Sequence, residues 1–431
     1  MTMAADKQDK VLNVPTLRFP EFRGGWGKYK VSDVLDFYST NSLSWDQLEY
    51  NSDELLNLHY GLIHVGLPTI VNLDENVLPN IKKEFLPKNY ELCREGDIAF
   101  ADASEDTNEV AKAIEFVNLS DKNVVCGLHT IHGRDNHNLT SIGFKGYAFA
   151  SESFHNQIRR IAQGTKIFSI SSKNFSECYI GIPSKDEQTK IAKLLALIDE
   201  RISTQSRIIE DLKSERKYLL EQLFCLPNER APKLRLKGMT GEWQKVKLCY
   251  IANRVTEKNK ANTCNRVLTI AAQYGLIDQQ EFFNKQIASS DLTTYYLLHK
   301  GDFAYNKSYS GDYSWGAVKR LDKYDKGVLS SLYICFRPNE NVDSDFLCHY
   351  FESTKWYRGI SEISGEGARN HGLLNMSVDD YFNTLHRIPT QREQKAVANA
   401  LNVLVDKINI ETEILNNLQN QKFYLLKEMF I

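Results

Sequence analysis

The 431-residue sequence lacks the marks of a secreted, membrane-bound or disordered chain. No run of eighteen apolar residues occurs, and the charged start from Met1 to Lys10 leads into no apolar segment. Neither a transmembrane helix nor a signal peptide is expected, and the chain reads as cytoplasmic. Cysteine is sparse: eight residues stand singly (Cys93, Cys126, Cys178, Cys225, Cys249, Cys264, Cys335, Cys348), with no CxxC and no metal-type spacing to histidine. Reduced, half-buried thiols are expected, with neither disulfides nor a metal. The 10 prolines and 23 glycines gather into no low-complexity stretch, and 42% apolar with 25% charged residues is a globular composition. That length calls for two to four folding units. Catalytic equipment is missing too. There is no GxxxxGK[ST] phosphate loop, no GxGxxG opening a helix and no [DN]PP[YF] for amine methylation, so no enzyme is expected in this chain alone.

A strong charge of one sign is also absent. The net charge of −2 argues against nucleic-acid binding by bulk electrostatics. Its distribution is uneven: residues 11–182 hold 16 Lys and Arg against 22 Asp and Glu, a balance of −6, whereas residues 231–387 hold 21 against 17, a balance of +4.

What is there is a duplication. Pro15, Leu17, Arg18, Phe19, Phe22, Gly24, Trp26, Lys28 and Lys30 recur 217 positions later as Pro232, Leu234, Arg235, Leu236, Met239, Gly241, Trp243, Lys245 and Lys247. Tyr60-Gly61-Leu62-Ile63 returns as Tyr274-Gly275-Leu276-Ile277, and Gly96-Asp97-Ile98 as Gly301-Asp302-Phe303. Ile182-Pro183 with Glu187-Gln188 matches Ile388-Pro389 with Glu393-Gln394, and from there the shift of 206 holds to Phe224 and Phe430. The first part of each copy is broken every few residues by Gly, Pro, Asn and Asp, with short β-rich runs such as 123–131 and 327–336; it predicts a mixed domain of short strands.

The last forty or so residues of each copy contain neither Gly nor Pro away from their edges and predict one long helix. Ser184 with Glu187, and Thr390 with Glu393, form capping-box patterns just after a proline. Leu195, Ile198, Ile202, Ile209, Leu212, Leu219 and Leu223 follow 3-and-4 spacing, as do Leu401, Leu404, Ile408, Leu415, Leu418, Leu425 and Met429. Gln205 with Glu411, and Arg216 with Lys422, interrupt both stripes at the same levels. Such stripes predict a coiled-coil pairing. A helix of this length rises about 60 Å, while the link 225–233 extends at most about 32 Å. Antiparallel pairing is therefore expected, with the globular heads at opposite ends. The fold class is α+β: two mixed α/β heads, each followed by a long helix, with internal pseudo-two-fold symmetry. Heads held at a set spacing suit duplex DNA, whose half-sites repeat about every 34 Å.

Taken together and in duplicate, the Pro-x-Leu-Arg segment with its tryptophan, the Gly-Asp turn, Gly127-Leu128-His129-Thr130 and the Ile-Pro-x-x-x-Glu-Gln helix start resemble the specificity subunit of type I restriction–modification systems over essentially the whole chain. The resemblance implies target-recognition domains at 11–182 and 227–387 and spacer helices at 183–226 and 388–431. Each domain would read one half of an asymmetric bipartite double-stranded DNA site. Two methyltransferase subunits and restriction/motor subunits would be partners, with S-adenosylmethionine, ATP and Mg on those partners and no cofactor in this chain.

Base readout needs Arg, Lys, Asn and Gln on accessible loops. Candidates are Arg159, Arg160, Gln163 and Lys166 in the first head, and Asn306, Lys307, Arg369, Asn370 and His371 in the second. Trp26 and Trp243, matched in heads that would read different sequences, are expected to be scaffold. The acidic segment 102–112 reads as a solvated loop, and His129 and His132 on one strand would point to opposite faces. The rival reading from another class is a protein-interaction scaffold with a coiled-coil spacer.

Overall fold

The computed structural model describes residues 13–52, 54–271, 274–283, 291–308, 313–364 and 374–431. Two compact units result: residues 1–206 with 414–431, and residues 207–413. The boundary falls inside both long helices, Lys185–Leu223 and Gln391–Glu428, so each unit holds one head and a portion of each helix. No described helix is long and apolar enough to cross a membrane.

In the first unit a five-stranded sheet runs in the order Asp36–Tyr38, Thr130–Arg134, Ile98–Ala101, Ala113–Asn118, Ile70–Asn72, antiparallel except for its last pair. A four-stranded sheet runs Val124–Cys126, Leu56–Leu58, Asn80–Ile81, Leu48–Glu49. The second unit carries a four-stranded antiparallel sheet in the order Ala252–Arg254, Ile334–Pro338, Phe303–Asn306, Ala317–Arg320, and the pair Tyr296–His299 with Lys326–Leu329. The runs 123–131 and 327–336 are thus not single strands. Each breaks into two strands of different sheets, and in the first head the break falls at His129, whose φ of 55° lies in the left-handed region.

The helices join their heads through apolar packing. Trp26, Phe144, Phe149, Phe154 and Phe175 share one core with Leu195 and Ile198 of the first helix and Leu425, Met429 and Phe430 near the end of the second. In the second unit Trp243, Phe346 and Tyr350 share a core with Leu220, Leu223 and Phe224 and with Val397 and Leu401. Within each unit the two helix segments run antiparallel: Asp199 meets Lys422 at 2.6 Å, while residues earlier on the first helix share the core with residues later on the second. The stripe residues Ile209, Leu212 and Leu418 are buried, whereas Ile202, Leu219, Leu404, Ile408 and Leu415 are half-buried.

The helix starts depart from a simple capping box. The Glu187 N–H does meet Ser184 Oγ at 3.4 Å, but the Glu187 carboxylate accepts from Arg18 Nε and Nη2, each at 2.7 Å, and from Trp26 Nε1 at 3.3 Å. Glu393 takes Arg235 at 2.8 and 2.7 Å and Trp243 at 3.2 Å in the same way. The neighbouring glutamines bind the head's backbone: Gln188 accepts from Ser141 N–H at 2.6 Å and Gln394 from Asp343 N–H at 2.7 Å. The duplicated motif is therefore a bolt that fixes the leading segment and the head onto the first turn of the helix. A buried carboxylate serves here because a tertiary partner of opposite charge satisfies it better than its own backbone would.

Close to the second bolt, His386 is wholly buried between Tyr350 Oη at 2.9 Å and Thr384 Oγ1 at 2.8 Å. Thr384 already donates to the Tyr381 carbonyl, so it accepts from His386 Nε2–H and leaves Nδ1 to accept from Tyr350. Burial lowers the His386 pKa to about 4. The unfolded state, with histidine at its ordinary value of about 6.5, binds more protons between those values. The His386 contribution is therefore complete above pH about 6.5 and is lost as pH falls towards 4, by about 3 kcal/mol. In urea unfolding, the wild-type chain should lose that much more stability across this window than His386→Gln. Equal losses would remove His386 from the account.

Candidate nucleic-acid interface

The first head gathers its basic candidates around the acidic segment 102–112. Arg159 and Arg160 lie in the last turn of helix Glu152–Ile161. Beyond it Gln163 pairs through its backbone with Ser169, N–H to carbonyl at 2.9 Å in both directions. This closes a tight loop in which Gly164 sits at φ 144°, and a Cβ there would stand 1.9 Å from the Ile167 carbonyl oxygen. The chain returns as Phe168–Ser169, paired antiparallel with Ala103–Ser104. Arg160, Gln163 and Lys166 are exposed, and Arg160 and Lys166 have no ion-pair partner among the described residues. Arg159 is differently placed: it forms an ion pair with Glu152 and donates to Asn156 at 2.7 Å and to Asn108 at 3.1 Å. Its charge is spent inside the head, holding the helix to the acidic segment.

That segment also touches a group of rings which sequence reasoning did not single out. Trp45, 45% exposed, tilts over His59 at 4.4 Å, and His59 over Tyr60 at 4.7 Å; Tyr60 meets His129 edge-on at 5.3 Å and His64 at 6.0 Å. Asp102 pairs with the exposed His129 at 3.1 Å, and the Ala103 carbonyl meets His64 Nε2 at 2.9 Å. Burial, aided by His129, holds the His59 imidazole below its ordinary pKa. The exposed Trp45 ring and the half-buried Tyr60 ring beside an acidic loop can stack on bases without adding positive charge. The available signal is the dense ring content of 45–64.

In the second head Asn306 ends the strand Phe303–Asn306, and its side-chain oxygen accepts from Ser308 N–H at 3.0 Å. Lys307 is half-buried, and its carbonyl accepts from Leu374 N–H at 3.0 Å. Tyr305 belongs to the core, stacked on Tyr381 at 4.7 Å. Arg369, Asn370 and His371 lie outside the described residues.

Both helices also expose apolar side chains at equivalent positions. Leu197, Ile414 and Tyr424 in the first unit are 50, 39 and 54% exposed, and their counterparts Val403, Ile208 and Tyr218 in the second are 70, 37 and 61% exposed. A groove of about 600 Å³ in the first unit runs past Leu194, Leu197, Arg201, Thr204, Leu418 and Gln421. Of the cysteines, six are buried, Cys348 is half-buried and Cys249 exposed. Among the described residues one group could hold a metal: Cys93, Cys126 and His132.

Residues 116–214 match the family described as the type I restriction modification DNA specificity domain. A curated relative named as a type I specificity subunit, from Mycoplasma genitalium, is 30% identical over 141 residues, 32% of this chain and 36% of the relative. The match thus spans about a third of that relative's length. The crystal structure of a type I restriction–modification S subunit from M. genitalium aligns at a TM-score of 0.52 with 17% identity, covering 97% of this chain and 99% of its own. A structure from work on assembly and conformational transition of a type I R-M system aligns at 0.56 with 13% identity, covering 94% and 97%. These likenesses share the fold of two mixed α/β heads with long helices.

Proposed function

The chain resembles type I restriction–modification specificity subunits in sequence over residues 116–214 and in fold along nearly its whole length, and from that premise we propose that it is the DNA-recognition subunit of such a system. Each head reads one half of an asymmetric bipartite site. Adenine-N6 methylation is carried out by two modification subunits, and ATP-dependent cleavage by restriction/motor subunits; S-adenosylmethionine, ATP and Mg belong to those partners. This chain supplies sequence readout and no catalysis.

The observation that carries the reading is the contrast between shared and unshared parts. The Arg–Glu–Trp bolt is reproduced in both units to within about 0.1 Å in each bond, whereas the exposed surfaces of the heads differ in residue type and charge. A duplicated scaffold carrying two different faces is what an asymmetric target requires. The exposed apolar positions repeated on the helices suit partners that dock twice.

The first head's acidity fits a division of labour in which partners supply most phosphate contacts, since backbone neutralisation dominates affinity. The purified chain alone should bind duplex DNA weakly and with little selectivity, and tight selective binding should arise only with its modification partner. Mapping N6-methyladenine in cells with and without this gene tests the role itself. A bipartite motif that vanishes on deletion is the expected result. An unchanged methylome, with the partner methyltransferase demonstrably active, would favour the interaction-scaffold reading.

A further inference from the structure

We propose that the first head binds a Zn²⁺ ion through Cys93, Cys126 and His132. The two sulfurs lie 3.6 Å apart, and a ring nitrogen of His132 is within 4.8 Å of both. A tetrahedral zinc with Zn–S bonds of about 2.3 Å holds its sulfurs about 3.8 Å apart, so the thiol pair already has the spacing, and the imidazole needs to close by about 1 Å. All three residues are buried, His132 fully.

The imidazole is oriented as a metal ligand would be. His132 Nε2 faces Asp97 Oδ2 at 2.8 Å, and Arg134 grips the same carboxylate through Nε at 2.9 Å and Nη2 at 2.8 Å. A carboxylate held ionised in this way accepts the Nε2–H and leaves Nδ1 as the ring nitrogen that can face a metal. Nδ1 is buried and has no hydrogen-bond partner. An orphaned buried nitrogen is costly, and a carboxylate on the far side of the ring is the usual support of a histidine ligand.

The second head provides an internal control. Arg337 grips Asp302 with the same fork, at 2.6 and 2.9 Å, and Leu297 pairs with Val328 where Leu92 pairs with Val125. Counting from these shared pairs, Cys93, Cys126 and His132 correspond to Leu298, Leu329 and Cys335, which join one apolar cluster. The fold therefore accepts a greasy trio at this place. The first head has replaced it with two thiols and an imidazole whose Nδ1 has no partner, an exchange that packing alone does not call for and a thiophilic cation does.

Binding releases the two thiol protons, and the resulting thiolates cancel the charge of the ion, so no net charge is added to the interior. Soft sulfur with imidazole selects zinc among abundant divalent ions. The ligands come from Val124–Cys126 of one sheet, Thr130–Arg134 of the other, and the segment beside Leu92. The ion would staple the two sheets together. A surface cleft lined by Asn41, Tyr90, Glu91, Asp102, Cys126 and His129 borders the site at Cys126.

The test uses the full chain, expressed and purified with zinc available. About one equivalent of zinc is expected, retained through gel filtration and released by an organomercurial that caps thiols. The triple variant Cys93→Leu/Cys126→Leu/His132→Cys, which installs the second head's own residues, should fold and carry none. Cobalt-loaded wild-type chain should show thiolate-to-metal charge-transfer absorption that Cys126→Ser abolishes. Chelator present during urea unfolding should lower the midpoint of the wild type and leave the triple variant unmoved. Zinc content equal in wild type and triple variant after refolding with zinc, or a Cys93–Cys126 disulfide in freshly purified metal-free chain, would overturn the assignment.

Discussion

Replacing Glu187 with alanine should open the start of the first long helix, with amides of residues 187–195 exchanging about a hundredfold faster than in the wild type. Glu187 is 1% exposed and is the common acceptor for Arg18 and Trp26. Its removal leaves an indole N–H and a guanidinium facing a vacated site, and uncompensated loss of one member of a buried pair costs about 3–5 kcal/mol. The low end applies because Arg18 retains 16% exposure and keeps a hydrogen bond to the Gly24 carbonyl at 2.5 Å. About 3 kcal/mol corresponds to the hundredfold change. Glu187→Gln, which still offers an oxygen to Trp26 or Arg18, should lose less than half as much. The duplicate supplies the control: Glu393→Ala should have the same effect on residues 393–401 and leave 187–195 unchanged. Native-state hydrogen exchange by mass spectrometry separates the two segments. Unchanged protection in both variants would mean that the bolt is ornamental and that apolar packing of the helix ends suffices.

The bolt was legible because it is written twice. Arg18, Trp26 and Glu187 are far apart in sequence, yet all three recur, as Arg235, Trp243 and Glu393, and for the two tryptophans that recurrence points to scaffold. Their local reading, a capping box, was incomplete because a distant arginine competes for the carboxylate, and spacing along one helix cannot reveal that. Repetition also misled. Tyr60-Gly61-Leu62-Ile63 lies in the short helix Tyr60–His64, whereas the same four residues at 274–277 run into the strand Gly275–Asp278 paired with Leu268–Ala271. Four residues hold too little propensity to resist their surroundings, and pairing with a neighbouring strand decides the outcome. The thiol and imidazole group was invisible for a related reason. Cys93, Cys126 and His132 meet only because strands of two sheets converge. His129 and His132 do lie apart, one beside Tyr60 and Asp102 and the other buried against Asp97, but not as neighbours on one strand: the strand begins at Thr130 and His129 occupies the left-handed turn before it. Arg159 shows the limit for surface residues: composition counted its charge, and only the fold shows Glu152 consuming it.

That correction sharpens the expectation for DNA. With Arg159 engaged, the exposed Arg160 and Lys166 are the cations the loop can offer, so the double charge reversal Arg160→Glu/Lys166→Glu should weaken binding of the complete methyltransferase complex to its target by about a hundredfold or more. If the loop lies at the duplex, as the proposed function requires, each substitution would remove a favourable contact and add a repulsive one in a head whose balance over residues 11–182 is already −6. Conversion of a single lysine that touches only phosphate should weaken all sequences alike and flatten the salt dependence, whereas loss of a base contact should relax the half-site read by this head and spare the other half. Comparing Lys166→Ala with Arg160→Ala across a library of targets, at two salt concentrations, distinguishes those roles. Arg159→Ala should behave differently from both, releasing helix Glu152–Ile161 from Asn108 and lowering the stability of the first unit with no change confined to one base position. If the double reversal leaves affinity and methylation target untouched, the loop 159–169 is not at the duplex. Readout in this head then falls to the rings of Trp45, Tyr60 and His129, for which Trp45→Ala is the next variant to measure.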